Sequence, residues 1–129
     1  MKIEHIALWT EDIDRLTGFY VKYFEAKAGS RYRNPSKGFE SCFLSFSSGV
    51  RLEVMRSIRK SHVVLPPDVH RIGLAHFAIA VGSEQSVDML TSRIQSDGFG
   101  VLDAPRRTGD GYYESVVLDP DGNRIEITA

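Results

Sequence analysis

Two histidines and two glutamates stand at matched places in a repeated sequence pattern, and both residue types bind divalent metals. His5 and His76 are 71 residues apart, and Glu53 and Glu126 are 73 apart, so the repeat stays nearly in register over most of the chain. The repeated segments are 3–7 (IEHIA) with 74–78 (LAHFA), and 49–54 (GVRLEV) with 122–127 (GNRIEI). We interpret this repeat as two copies of one ancestral unit.

The four side chains make a donor set of two imidazole nitrogens and two carboxylates. Their formal charge of about −2 matches one divalent cation, and Zn, Ni, Co, Mn or Fe(II) would suit these donors. If the two copies pack symmetrically, the donors can converge on one ion and leave coordination positions for water or a substrate. A single His or Glu on a strand is usually only part of a solvated face. The persistence of all four in copies that have otherwise diverged favours the metal site.

The first half of the chain predicts a strand, a helix and then two or three further strands. Residues 3–9 alternate between polar and apolar as a half-buried strand does. Between Ile13 and Phe24, apolar residues follow the three-four spacing of one helical face. Two more strands are indicated at 39–46 and 50–55, separated by a Ser-Ser-Gly turn.

The second half repeats this order after a connector, residues 57–72, that lacks periodicity and carries two adjacent prolines. Ser83 is suited to cap a helix that Gly98 ends. An Asp-Pro-Asp-Gly-Asn turn joins the last two strands. The predicted strands are 74–81, 112–118 and 124–128. Glycines at matched positions predict shared turns, and the pairs are Gly29 with Gly100 and Gly38 with Gly111.

Each candidate ligand lies on the strand face opposite the bulkiest aliphatic residues. Leu52 and Val54, for example, oppose Glu53. The aliphatic face can pack beneath the helices, which leaves the other face to line a cleft. The neighbours of the two histidines on that second face include small alanines, so there is room for a ligand.

Composition excludes several classes of function. With 129 residues and 42% hydrophobic content, the chain can bury one core but is short for two ordinary domains. A net charge of −1, from 16 basic and 17 acidic residues, supplies no bulk field for nucleic acid or an anionic membrane. The chain has no bilayer-spanning apolar run, no signal-peptide pattern and a single cysteine, Cys42. We therefore expect a cytoplasmic protein without nucleic-acid or membrane partners.

The paired units and the motifs around the ligands resemble the vicinal-oxygen-chelate (VOC) superfamily. The motifs that carry the resemblance are 4–8 (EHIAL), 75–79 (AHFAI) and 119–127 (DPDGNRIEI). This superfamily includes glyoxalase I, fosfomycin-resistance thiol transferases, extradiol dioxygenases, methylmalonyl-CoA epimerase and bleomycin-binding proteins. The resemblance implies a single α+β domain, 1–129, whose two βαβββ modules, 1–56 and 73–129, form a cup-shaped open barrel. It also implies a homodimer, and in the glyoxalase I branch both subunits supply metal ligands.

Within the superfamily, His5, Glu53, His76 and Glu126 are similar to the His-Glu-His-Glu metal ligands of glyoxalase I. Epimerases have Gln at the second place, and thiol transferases and dioxygenases use only two His and one Glu, so Glu53 favours the glyoxalase I-like branch. The resemblance then implies a metal-dependent lyase or isomerase acting on a small α-oxo or hemithioacetal substrate. Glu126 would shuttle the proton removed beside a carbonyl while the metal binds both oxygens of the enediolate, and Glu53 is the second candidate catalytic carboxylate.

Two positions depart from glyoxalase I, which has Arg four residues after its first ligand His and Asn four after its first ligand Glu. Both contact glutathione, whereas this chain has Trp9 and Ser57 there. We expect a retained metal site with an altered substrate pocket.

Three residues are selected for substrate binding: Trp9, Tyr112 and Arg106. Trp9 could wall the pocket, Tyr112 could hydrogen-bond the substrate, and Arg106 could hold a carboxylate or phosphate. A subunit contact, core packing and simple solvation are the respective alternative explanations.

Two other functions fit the same sequence. One is a non-catalytic binding protein of the drug-sequestering, bleomycin-resistance type, which holds its ligand with aromatic side chains in the cup. The other is metal-dependent thiol transfer to an epoxide, of the fosfomycin-resistance type. In each case the expected partner is a small molecule, which includes a thiol adduct.

Overall fold

The computed structural model describes residues 1–47, 49–60, 63, 66, 69 and 72–129. The chain divides into two compact units, Met1–Val63 and Val64–Ala129. Each unit contains one helix and one four-stranded sheet, in the order strand, helix and three strands. This is the predicted α+β fold of two βαβββ units. Part of the predicted connector, 57–72, lies outside the described residues.

In the first unit, the two strands that carry candidate ligands are direct neighbours. The elements are β1 (His5–Trp9), α1 (Ile13–Phe24), β2 (Lys27–Asn34), β3 (Phe39–Ser45) and β4 (Arg51–Ser57). The strand order is β1-β4-β3-β2, in which β1 is parallel to β4 and the other pairs are antiparallel. The strand that opens the unit therefore lies beside the strand that closes it.

The second unit has the same topology. Its elements are β5 (Phe77–Ala80), α2 (Glu84–Ser96), β6 (Val101–Arg107), β7 (Tyr113–Leu118) and β8 (Arg124–Thr128). The order is β5-β8-β7-β6, and β5 runs parallel to β8. Thr91 of α2 and Ser115 of β7 share a buried hydroxyl hydrogen bond of 2.6 Å, which joins the helix to one face of its sheet.

Each helix begins at a capping side chain and buries the face predicted for it. Asp12 accepts a hydrogen bond from the backbone N–H of Arg15 at the start of α1, and Ser83 accepts one from Ser86 at the start of α2. The apolar residues buried on the helices are Ile13, Leu16, Phe19, Tyr20, Tyr23 and Phe24 on α1, and Val87 and Ile94 on α2. Within the described part of the chain, no helix is both long and apolar enough to cross a membrane.

The matched glycines prove to be of two kinds. Gly38 and Gly111 have φ angles of +71° and +98°, which favour glycine, and lie between strands as predicted. The prediction of turns at Gly29 and Gly100 is wrong, since Gly29 lies within β2 and Gly100 directly precedes β6. A Cβ atom there would lie 3.3 Å and 3.1 Å, respectively, from atoms of the adjacent strand. These two positions bring strands close together instead of turning the chain.

The strands β2 and β6 are the elements that periodicity identified least well. Both lie at sheet edges, and most of their residues are exposed, so neither shows clear alternation of buried and exposed positions. Pro105 within β6 also removes a backbone donor, which an edge strand tolerates.

The variant Ile125→Ala tests how far the helix-covered face of the second sheet stabilises its unit. Ile125 is 0% exposed on β8, next to Glu126. We expect a loss of about 2 to 5 kcal/mol in the free energy of unfolding, because truncation leaves a cavity. Urea denaturation measures this loss. Met89→Ala is the control, since Met89 is 60% exposed on α2 and its truncation should change stability by about 0.5 kcal/mol or less. Equal losses in the two variants would show that Ile125 has no special role in the core.

Candidate metal centre

The histidine and the glutamate of each unit are placed by a pair of parallel strands. Ala7 of β1 is opposite Glu53 of β4, and Ala78 of β5 is opposite Glu126 of β8. The histidines stand two residues before these alanines and therefore on the same face. This is the face turned away from the helix, which we call the helix-free face. The alanines are small enough to leave the carboxylates open toward the imidazoles.

Within each unit, the structure brings imidazole and carboxylate together. His5 Nε2 lies 3.8 Å from Glu53 Oε2, and His76 Nε2 lies 3.2 Å from Glu126 Oε1. The carboxylate side chains are 15% and 20% exposed, whereas the imidazoles are 40% and 44% exposed. The glutamates are thus held in the sheet while the histidines remain accessible. Each pair offers one nitrogen and one oxygen donor, a combination that suits a divalent cation.

Each pair supplies two donors of the predicted set. Among the described residues of either unit, no group of three or more His, Cys, Asp or Glu side chains is arranged to hold a metal ion. The pairing of His5 with Glu53 and of His76 with Glu126 is therefore observed. The convergence of the two pairs on one cation stays a prediction.

A hollow of about 410 Å³ lies on the helix-free face of the second unit, beside the His76–Glu126 pair. Its lining residues are His76, Leu102, Asp103, Arg106, Val116, Arg124 and Glu126. Arg106, a predicted substrate residue, lies 3.4 Å from Asp103 and 3.6 Å from Glu114. An anionic substrate group at Arg106 would therefore compete with two carboxylates of the protein itself.

The other two predicted substrate residues are aromatic and about half exposed. Trp9 is 50% exposed and lies on the helix-free face of β1, opposite Met55. Tyr112 is 57% exposed and directly precedes β7, where its backbone N–H donates to the Thr108 hydroxyl at 3.0 Å. The ring of Tyr112 therefore does not belong to the core of its unit. Their contact with a substrate stays a prediction.

Glu114 is a third carboxylate on the helix-free face of the second unit, and the sequence analysis missed it. It lies on β7, two residues from Val116, which is opposite Glu126. Burial is the main cause that raises the pKa of Glu114 above its ordinary value of 4.5, and the negative charge of Glu126 adds to it, while Arg106 opposes the shift. The matched position of the first unit is Ser41, so comparison of the repeats does not reveal this carboxylate.

Glu4 is a second residue that the sequence analysis missed. Its carboxylate accepts hydrogen bonds from His5 Nδ1 at 2.6 Å and from Arg51 Nε at 2.9 Å. These bonds, that from His5 most strongly, hold the pKa of Glu4 below its ordinary value of 4.5. Adjacent residues of a strand point to opposite faces, so periodicity predicts no contact between Glu4 and His5. The contact forms because β1 begins at His5 and Glu4 precedes it.

The family is decided by a match over nearly the whole sequence. Residues 2–127 match the Glyoxalase/Bleomycin resistance protein/Dioxygenase superfamily. The chain belongs to this superfamily. The membership predicted from the motifs around the four ligands is thereby confirmed, and the repeated units are the βαβββ modules of a glyoxalase-like fold.

Members of the superfamily similar to this chain share its fold at low identity. The uncharacterized protein YqjT of Bacillus subtilis (strain 168) is 26% identical over 132 residues, covering 98% of both chains. A glyoxylase/bleomycin resistance protein/dioxygenase domain from Frankia sp. EAN1pec has a TM-score of 0.83 at 17% identity, covering 99% of this chain and 96% of that one. Glyoxalase I from Zea mays has a TM-score of 0.76 at 24% identity, covering 98% of this chain. The match spans only 44% of the maize enzyme's chain. At such identities the structural likeness shows the fold.

The raised pKa of Glu114 predicts a pH dependence of stability in this superfamily member. A carboxyl group whose pKa is higher in the folded than in the unfolded protein binds its proton more tightly when folded. The stability of the wild type should therefore fall as pH rises from the ordinary value of 4.5 through the raised pKa. In Glu114→Gln this loss is absent, so the stability of the variant relative to wild type should rise with pH across that window.

Urea denaturation at a series of pH values measures this difference. Glu11→Gln, which removes one exposed carboxylate of the first unit, is the matched control for the loss of a charge. A relative stability of Glu114→Gln that stays flat or falls with pH would contradict the assignment of Glu114 as a buried carboxyl with a raised pKa.

Proposed function

We propose that this protein is a metal-dependent lyase or isomerase of the glyoxalase I type, acting on a small α-oxo or hemithioacetal substrate. The observation that carries the proposal is the repeated His–Glu pair. Both copies hold an imidazole within 4 Å of a carboxylate on the helix-free face, at 3.8 Å and 3.2 Å. Membership of the superfamily supports a role in small-molecule chemistry. The second carboxylate, Glu53, favours the glyoxalase branch over those that use two His and one Glu.

The residues proposed to hold the cation are His5, Glu53, His76 and Glu126, whose donor chemistry fits a divalent ion of Zn, Ni, Co, Mn or Fe(II). When bound, the ion would supply positive charge that stabilises the oxyanion developing on the substrate. The protein's own residues bind and orient the substrate and move its proton.

Glu126 is the residue to which we assign proton transfer. Its carboxylate removes a proton from the carbon beside the carbonyl and returns it to the neighbouring carbon, so the reaction is an isomerisation with no net loss of protons or electrons. Glu126 lines the hollow of the second unit and is only 20% exposed, which keeps the carboxylate in one position on β8. Glu53 is the second candidate for this role, since it occupies the matched place on β4.

The substrate pocket should differ from that of a glutathione-dependent enzyme. Ser57, at the place of the glutathione-binding Asn, accepts hydrogen bonds from the backbone N–H groups of Arg59 at 3.3 Å and Lys60 at 2.9 Å. Its hydroxyl oxygen is therefore engaged in a local turn. Trp9, at the place of the glutathione-binding Arg, brings no positive charge. Both differences favour a substrate without the charged groups of glutathione.

The two alternative functions make different demands on the same residues. A drug-sequestering protein would bind its ligand through Trp9 and Tyr112, with an affinity that chelators leave unchanged. A thiol transferase would tolerate Glu53→Ala, because that branch uses only three ligands. Substrate binding in the presence and absence of a chelator, and activity of Glu53→Ala, separate these functions from the lyase.

Loss of single ligands should abolish metal binding. We expect the purified protein to bind a divalent ion, and Glu53→Gln and His76→Ala to lose it, because each removes one donor of the set. Glu126→Gln should also slow exchange of the substrate's α-proton with solvent by about 10²- to 10⁴-fold. Metal analysis and proton NMR in heavy water are the measurements. Asp14→Asn, which removes an exposed carboxylate on α1, should change neither result. A protein that stays metal-free when offered Ni, Zn, Mn and Fe(II) would overturn the proposed function.

Glutathione should give this enzyme no advantage over an uncharged thiol. We expect similar values of kcat/KM for the hemithioacetals that methylglyoxal forms with glutathione and with 2-mercaptoethanol, because neither Trp9 nor Ser57 offers the contacts described above. The double variant Trp9→Arg, Ser57→Asn should shift selectivity toward glutathione. A preference of the wild type for glutathione by about tenfold, equivalent to about 1.4 kcal/mol, would contradict the altered pocket.

A further inference from the structure

Three side chains of the first unit form a hydrogen-bonded chain that ends at His5. Arg51 Nε donates to Glu4 Oε1 at 2.9 Å, and Nη2 of the same arginine contacts the same oxygen. The other carboxylate oxygen of Glu4 lies 2.6 Å from His5 Nδ1. The backbone N–H of Arg51 also donates to the carbonyl of Glu4, at 3.2 Å. Glu4 is therefore held by both the backbone and the side chain of Arg51.

The contact with Glu4 assigns a tautomer to His5. An ionised carboxylate only accepts hydrogen bonds, so the hydrogen atom between the two groups belongs to Nδ1. In a neutral imidazole, Nε2 then carries a lone pair, and this is the atom that lies 3.8 Å from Glu53 Oε2. Metal-binding histidines usually donate their other ring N–H to a carboxylate, a backbone carbonyl or water.

The second copy has different residues at both positions that support His5. The ring of Phe43 packs edge-on against His5, with ring centroids 5.5 Å apart and an interplanar angle of 88°. The repeat places Ala75 where the first copy has Glu4, and Val116 where it has Phe43. Neither alanine nor valine can supply the carboxylate or the aromatic ring. The support of the imidazole is therefore a property of the first unit and not of the repeated motif.

We propose that Glu4 is a positioning residue, which holds His5 in the Nδ1–H tautomer with its Nε2 atom presented beside Glu53 for metal binding. This inference rests on the metal site put forward above. Glu4 acts through His5, since its carboxylate binds Nδ1 and not the nitrogen that would face the ion. Arg51 completes the arrangement by orienting Glu4.

The tautomer of His5 can be measured without any metal. In protein with ¹⁵N-labelled histidine at about pH 8, where an ordinary histidine is neutral, the ring nitrogens of His5 should report hydrogen on Nδ1. Glu4→Ala should shift His5 toward the Nε2–H form. Glu4→Gln should retain the Nδ1–H form, because the side-chain carbonyl oxygen of Gln can still accept the hydrogen bond. An unchanged tautomer in Glu4→Ala would overturn the inference.

Metal affinity provides the second readout. Titration with Ni²⁺ alone should give about 10- to 100-fold weaker binding for Glu4→Ala than for the wild type, the range typical of residues that orient metal ligands. Glu4→Gln should recover most of this loss. The matched control is Asp14→Asn, because Asp14 is an exposed carboxylate of the same unit that pairs with Arg31 and does not touch His5. It should bind Ni²⁺ as the wild type does.

The two measurements separate failure of this inference from failure of the proposed function. If the wild type binds Ni²⁺ and Glu4→Ala binds it equally well, the metal site stands and the positioning role is wrong. If Glu4→Gln keeps the tautomer but binds Ni²⁺ as weakly as Glu4→Ala, the effect is one of charge and positioning is again wrong. If the wild type does not bind Ni²⁺ or the other ions while the tautomer responds as expected, the proposed function fails and the control of His5 by Glu4 remains.

Discussion

The candidate site depends on one constraint, the parallel pairing of the first and last strand of each unit. This pairing places Ala7 opposite Glu53 and Ala78 opposite Glu126, so a histidine two residues before each alanine lies near a carboxylate from the far end of its unit. Because side chains alternate with a period of two, a register shift of one residue would turn a whole strand's side chains to the other face. The distance between imidazole and carboxylate is thus set by backbone hydrogen bonds and not by the side chains themselves.

The two faces of each sheet have separate tasks. Residues such as Leu52, Val54 and Ile127 are buried on the face that the helix covers, and their burial stabilises the sheet. The candidate ligands on the opposite face contribute little to that core and are free to serve a site. The aliphatic residues that flank each glutamate also fix the register, since any slip would expose them to water. Stability and chemistry are therefore encoded in alternate residues of the same strands.

The copies have diverged most around their histidines and least in the backbone that carries them. In the first unit, Glu4 and Arg51 hold one ring nitrogen of His5, whereas Ala75 stands at the place of Glu4 in the second. The second unit instead has Glu114, a buried carboxylate, where the first has a serine. A shared scaffold thus presents one histidine with a fixed tautomer and one pair beside an additional carboxyl group. This asymmetry suits a site in which one half binds the ion and the other half also transfers a proton.

The sequence by itself determined the family, the two βαβββ units, both helices and the pairing of each histidine with a glutamate. It could do so because these features depend on periodicity and on residues that recur at matched positions. It did not determine the edge strands β2 and β6, whose exposed residues follow no clear pattern, or the role of Gly29 and Gly100, which depends on how closely a neighbouring strand approaches. Only the tertiary structure revealed Glu4 and Glu114. The contact of Glu4 with His5 arises where the strand begins and alternation no longer applies, and the raised pKa of Glu114 follows from burial and from the charge of a residue on another strand.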